Sequence, residues 1–304
     1  MSVAVLQPAV ERIEPHEAFA KLADGTRVEI LEAVAAAERD GELREEMPTL
    51  SFSELYDRVD VSNSSRFAYH LDQLTGVFLH KTDDGYTFTW GGERIVRTIL
   101  AGGYGKSLSF EPVAVDGHCP ACGESVLRAA PAEVTIRVRC AACEQCVASY
   151  PLTPGLVADR DPAEIVRAAE RRIRASYDDV IAGDCPKCGG RLELDVHETG
   201  VASGDPYASI SRCQECWAPF GLPVSVWALS HPATVSFYWE RDVDIRATPF
   251  WEFATYLVEG RWTVEATDDP RTYRITIREA GDELRLALDD ELAVTDVTRL
   301  TSET

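Results

Sequence analysis

The chain reads as an α+β multidomain protein, and three patterns carry that expectation. Residues 14–105 show helical spacing interrupted by one hairpin; four Cys-x-x-Cys pairs occupy the middle third; and an aromatic-rich stretch precedes three short alternating runs. A chain of 304 residues can bury two or three modest cores. The expected division is a helical module with a hairpin over residues 1–105, a cysteine-rich region over 106–222 with a bridging helix near 161–182, and a lobe with a small antiparallel sheet over 223–304.

Pro15 suits a first helical position, and Phe19 and Leu22 share one face before Asp24-Gly25 ends the turn. A second helix from Thr26 buries Ile30, Leu31 and Val34 and is expected to dissolve into polar Glu38-Arg39-Asp40-Gly41. After a short strand, Ser51-Phe52-Ser53-Glu54 has capping-box form and opens a helix with Leu55 and Val59 inward. Ser62 is expected to cap another helix, with Phe67, Leu71 and Leu74 spaced for the core. Val77 to Trp90 folds as a hairpin around Asp83-Asp84-Gly85, and a last helix from Glu93 to Ala101 carries Ile95, Val96, Ile99 and Leu100 along one face. That order of elements is the order of a winged helix-turn-helix. Gly102 through Gly117 reads as a flexible boundary.

Two residues between thiolates let one tight turn aim both sulfurs at a tetrahedral ion, and two such turns close a four-cysteine site. Cys119/Cys122 with Cys140/Cys143 form one expected quartet, and Cys185/Cys188 with Cys213/Cys216 the other. Glycine follows Cys122 and Cys188, ready for the left-handed position that such a turn requires. Between the pairs, Val134, Ile136 and Val138 alternate with Thr135, Arg137 and Arg139, and Leu192, Leu194 and Val196 with Glu193, Asp195 and His197, as hairpin strands do. Two zinc ribbons holding structural Zn2+ are expected. Cys146 extends the first run, so either Cys143 or Cys146 can supply its fourth ligand. A disulfide framework is the competing reading. Nine cysteines is an odd number, and the first thirty residues show no basic start leading to an apolar core, so a reducing cytoplasmic location is expected.

Asp161-Pro162 opens a stretch in which Ile165, Ala169, Ile173 and Tyr177 recur at helical spacing, which predicts one long helix bracing the two sites. Its Arg167, Arg171, Arg172 and Arg174 make the most basic segment, either a solvated face or a contact for an acidic partner. From Trp217 to Trp262 lie 11 of the 26 aromatics, read as core or as the lining of a ligand or dimer pocket. Val235–Trp239 and Phe250–Tyr256 suggest short helices, and residues 273–277, 284–288 and 293–297 alternate as strands.

Acids number 51 against 30 bases, a net charge of −21, and only four of the bases are lysine. That balance, spread along the whole chain, fits a halophilic cell interior, where molar salt screens self-repulsion over about 3 Å. Disorder is excluded by the 45% hydrophobic content. No apolar run approaches the ~18 residues of a membrane span. Catalysis has no support: a metal site closed by four thiolates leaves no open position, six histidines are dispersed, and no phosphate-cradling loop or nucleophile elbow occurs.

Leu22–Leu31, Phe52–Leu55, the run Ser65-Arg66-Phe67-Ala68-Tyr69-His70-Leu71-Asp72-Gln73-Leu74 and the wing Asp84–Thr89 resemble the ArsR-like winged-helix transcription regulators, in particular a haloarchaeal branch with a cysteine-rich C-terminal region. The family's Cys-Val-Cys sensing motif is absent, since no cysteine precedes residue 119. The resemblance implies a homodimer that binds double-stranded DNA. Asn63, Ser64, Ser65 and Arg66 would face base edges, Tyr69 and His70 would follow one turn on, and Lys81 and Thr82 would meet the backbone from the wing. Arg66 and Lys81 can also be plain surface charges, and Tyr69 and His70 packing residues. Residues 61–90 hold two bases against three acids, a weak electropositive footprint. A winged helix followed by a zinc ribbon also resembles the archaeal basal factor TFE, which keeps an adaptor for transcription-machinery proteins as an alternative. A thiol or metal sensor using Cys146 is a third.

Overall fold

A computed structural model of the chain describes residues 13–40, 49–102, 108–199, 204–268 and 271–301. They fall into two units, Met1–Lys106 and Ser107–Thr304. Among them no helix is long and apolar enough to cross a membrane.

The first unit runs α1 (Pro15–Ala20), α2 (Gly25–Asp40), α3 (Phe52–Tyr56), α4 (Ser64–Leu74), β1 (Leu79–Thr82), β2 (Gly85–Phe88) and α5 (Trp90–Leu100). Polar side chains set the helix starts. Ser51 and Glu54 form the expected capping box on α3, and Thr89 Oγ1 accepts the Gly92 N–H at 3.0 Å at the head of α5. Helix α4 begins one residue later than expected: Asn63, not Ser62, caps it by accepting the Arg66 N–H at 2.9 Å. Helix α2 does not dissolve at Glu38 but continues through Asp40, because Ala33, Ala35 and Ala37 are buried and Glu38 pairs with Arg97 of α5. Gly41 lies outside the described residues. Leu50 exchanges two backbone hydrogen bonds with Tyr86, 3.0 and 2.8 Å, and so lays a one-residue third strand against the hairpin. Ile30, Leu31, Val34, Leu55, Phe67, Leu71, Leu74, Leu79 and Val96 close the core, each contributing roughly 1.5–3 kcal/mol of burial.

The second unit opens on an antiparallel sheet, β3 (Val113–Ala114), β4 (Leu127–Ala132), β5 (Thr135–Cys140) and β6 (Cys146–Pro151), paired in that order. After the short α6 (Pro154–Val157), helix α7 (Pro162–Ile181) carries a second capping box, Asp161 with Glu164. A three-stranded sheet follows: β7 (Leu192–Glu198), β8 (Tyr207–Cys213) and β9 (Pro219–Pro223). Helices α8 (Val224–Trp227), α9 (Pro232–Trp239) and α10 (Phe250–Val258) lead to the last sheet, β10 (Trp262–Asp268), β11 (Arg271–Glu279), β12 (Asp282–Leu288) and β13 (Val294–Leu300), again antiparallel in chain order.

Helix α7 serves both cores of this unit. Its Ile165, Val166 and Ala169 pack with Leu127, Ile136, Val138 and Tyr150, while Val180 joins Val196, Leu222, Phe237, Tyr238, Trp262, Ile275 and Leu286. The second of these cores crosses residue 222, where the sequence suggested a boundary. Most of the aromatics are core, whereas Trp217 and Trp239 are 78% and 68% exposed. Val134, expected inward, is 73% exposed: the β4–β5 turn falls on Glu133 and Val134, with Glu133 at φ 56°. Strand β10 adds a fourth member to the last sheet that the alternation had not marked.

Candidate metal centres and recognition surface

Each Cys-x-x-Cys pair sits on the same backbone turn. The N–H of the first cysteine donates to the carbonyl five residues on: Cys119 to Glu124, Cys140 to Gln145, Cys185 to Gly190 and Cys213 to Ala218, all at 2.9–3.0 Å. The carbonyl of that cysteine accepts from the residue four places on: Gly123, Glu144, Gly189 and Trp217, at 2.8–3.1 Å. These four residues all have positive φ, 77°, 59°, 75° and 61°. Sequence alone marked the two glycines. Glu144 and Trp217 were missed, although their position four after a first cysteine was a usable signal.

The turns meet in pairs because hairpin β4–β5 joins the first two and β7–β8 the second two, with Leu127 opposite Cys140 and Leu192 opposite Cys213. In each group the four Sγ atoms lie within 4.8 Å of one another. Cys119–Cys143 and Cys122–Cys140 are 3.7 and 3.6 Å apart, and Cys185–Cys216 and Cys188–Cys213 are 3.7 and 3.4 Å. A tetrahedron of thiolates about 2.3 Å from a central ion has edges of roughly 3.8 Å, while a disulfide needs about 2.05 Å. The eight cysteines are therefore positioned as two groups able to hold metal ions. Cys143, not Cys146, completes the first; Cys146 begins β6, and its Sγ lies 3.5 Å from the Ala148 carbonyl oxygen.

The electrostatics ask for a cation. The N–H groups of Cys143 and then Ala142 outweigh desolvation and lower the Cys140 thiol to about 7. Those of Cys216 and Glu215 lower Cys213 to about 6 in the same way. Their neighbours go the other way. The Glu124 N–H favours a Cys122 thiolate, but desolvation and the sulfurs of Cys143, Cys140 and Cys119 push it up to about 12. The Gly190 N–H favours a Cys188 thiolate, yet the sulfurs of Cys213 and Cys216, with desolvation and Cys185, raise it to about 12. Without an ion one sulfur of a group deprotonates readily at the expense of the others, and a bound divalent cation lets all four ionise.

In the first unit, α4 turns Phe67, His70, Leu71 and Leu74 inward. Ser64, Ser65 and Arg66 are exposed at its N-terminal end, and Tyr69 is 57% exposed one turn on. Two of the expected contact residues have other work. Asn63 spends its side chain on the helix cap, and His70 is 5% exposed with Nδ1 3.5 Å from Asp24 Oδ1, so it faces the α1–α2 turn and not the outer surface. On the hairpin, Lys81 is exposed with its Nζ 5.8 Å from the Tyr86 ring, and Thr82 Oγ1 closes the turn by donating to the Gly85 carbonyl at 3.2 Å.

Fold and cysteine geometry thus define the chain as an α+β protein with two four-cysteine groups placed to hold metal. It belongs to the family described as Domain of unknown function (DUF7351), whose model matches residues 116–294, more than half of the chain. Residues 15–99 match a second model, Domain of unknown function (DUF7347), and one match falls in each structural unit. No curated protein and no solved structure matches the chain.

Proposed function

We propose that the chain is a DNA-binding transcription regulator whose first unit is a winged helix-turn-helix and whose second is built on two zinc ribbons. The observation that carries this reading is the two-sidedness of α4. One face is sunk in the core, and the other presents Ser64, Ser65, Arg66 and Tyr69 with the β1–β2 hairpin following it. A major groove admits such a helix by its N-terminal end, where Arg66 can fork onto guanine and the serines can reach phosphate or base. Lys81 on the hairpin would meet a neighbouring phosphate. A homodimer would offer two such helices to adjacent half-sites of double-stranded DNA, as the ArsR-like resemblance implies. Zinc is the ion that closed, all-thiolate tetrahedra favour, and it stabilises the fold without taking part in chemistry.

High salt removes most of the counterion-release term, so an acidic reader must draw on base contacts and ordered water. Titrating labelled promoter DNA in molar potassium chloride tests this. Wild type should bind, and Arg66→Ala should lose about 1–3 kcal/mol, the worth of one bidentate base contact. Wild type that fails to bind at any salt contradicts the reading.

A second reading is favoured by charge and by exposed aromatics of the first unit. Residues 61–90 carry more acids than bases, and Tyr69 and Trp90 stand 57% and 75% exposed, which suits a protein partner. That adaptor, similar to TFE, would co-elute with RNA polymerase while binding no DNA.

A further inference from the structure

Between edge strand β6 and helix α10 lies a cavity of about 360 Å3, within the ~300–1,000 Å3 typical of small-molecule sites. Its walls are mainly apolar: Tyr177 of α7, Val226 of α8, and Phe250, Phe253, Ala254 and Leu257 of α10. Pro120 and Ala121, from the turn between Cys119 and Cys122, form part of the lining, so an occupant would sit against the first four-cysteine group.

Polar residues interrupt this wall along β6, where Gln145 and Ser149 line it beside Cys146 and Tyr150. Cys146 belongs to neither metal group and is half-buried. Tyr150 lines the cavity, is only 2% exposed, and its hydroxyl has no hydrogen-bond partner among the described residues. Buried hydroxyls are nearly always paired, so an unpaired one on a residue that lines a cavity marks a polar group that a ligand can complete. Burial, reinforced by the nearby Glu170 charge and only partly opposed by Arg174, holds the Tyr150 phenol neutral far above its usual range. It is therefore a fixed donor in search of an acceptor. Arg174 is already engaged by Glu170 and by the Thr248 carbonyl, so it offers no uncommitted positive charge to an anion.

We propose that this cavity binds a small, neutral, largely aromatic molecule carrying one carbonyl-type acceptor for the Tyr150 hydroxyl. The assignment stands on the second unit alone and does not depend on the first unit reading DNA. Such a site gives the chain an effector pocket packed against a metal centre.

The test uses the full chain as purified with its metal and two neutral aryl ketones, 1-acetonaphthone and benzophenone, titrated by isothermal calorimetry. Alkylation of Cys146 by iodoacetamide, read by mass spectrometry, reports occupancy of this cavity. At least one ketone should bind saturably at one site and protect Cys146. Tyr150→Phe, which keeps the ring and removes the donor, should weaken binding about 3–10-fold, the net worth of a neutral hydrogen bond. Ala254→Leu, which fills the space, should abolish both binding and protection; if that variant fails to fold, Tyr150→Phe and Cys146 protection decide. Absence of saturable binding by either ketone at millimolar concentration overturns the proposal. So does an unchanged affinity in either folded variant, or a Cys146 alkylated equally fast with ligand present.

Discussion

Left-handed backbone is cheap for glycine and costs other residues roughly 1–2 kcal/mol. The four cysteine turns place two glycines, Gly123 and Gly189, and two residues with side chains, Glu144 and Trp217, in that conformation. What holds the latter pair there is local: each donates its N–H to the carbonyl of the leading cysteine, at 3.0 and 3.1 Å. A Cβ on Gly123 would meet nothing within 4 Å, so its substitution isolates backbone strain from steric clash. Gly123→Ala should therefore lower stability by about 1–2 kcal/mol, while Glu144→Gly should be neutral or raise it by up to about 1 kcal/mol once glycine's extra chain freedom is subtracted. Denaturant titration in high salt measures both. An unaffected Gly123→Ala variant would show that the turn tolerates an ordinary residue and that its strain has been misjudged.

Helix α7 ties one half of the second unit to the other, and its grip on α10 joins apolar packing, Tyr177 against Phe250, to polar contacts. Glu170 Oε1 accepts the first N–H of α10, from Phe250, at 2.9 Å, and pairs with Arg174 at 3.3 Å. Arg174 in turn lies 4.2 Å from the Phe250 ring centroid and donates to the Thr248 carbonyl. Burial raises the Glu170 carboxyl above its ordinary value against the pull of Arg174 and the Phe250 N–H. A folded-state acid with a raised pKa keeps its proton where the unfolded chain, at about 4.3, has lost it. Its contribution to stability is thus greatest below that value and is lost as pH rises through the interval up to the raised one. Glu170→Gln keeps the acceptor for Phe250 and removes the titration. The difference between the two stability–pH curves should slope across the acid range, and parallel curves would contradict this account of the contact. Helix α7 was legible from Asp161-Pro162, Glu164 and its 3.6-residue period, all local features. The cysteine turns were legible for the same reason. Alternation could not say where a strand turns, so Val134 was misplaced, and the polar ends of Tyr150 and His70 are buried by elements distant in sequence. The Asn63 cap displaced Ser62 by one residue, a choice between two good capping side chains that composition does not decide.

Across the whole chain, metal and helix stability are expected to separate. The first unit contains no cysteine and closes its own core around α2, α4 and α5. Two of the second unit's three sheets, β3–β6 and β7–β9, are pinned by the two groups, each of which adds a formal −2 when four thiolates hold a divalent ion. In a chain already at −21, salt screening offsets part of that added self-repulsion. A strong chelator should therefore dismantle β3–β9 while amide exchange in α2, α4 and α5 stays slow, because site formation and folding of the second unit are one event. Elemental analysis of the native, folded protein is the most direct check on that picture. Two zinc ions per chain is the expected content; a fully folded chain carrying one ion or none would contradict it.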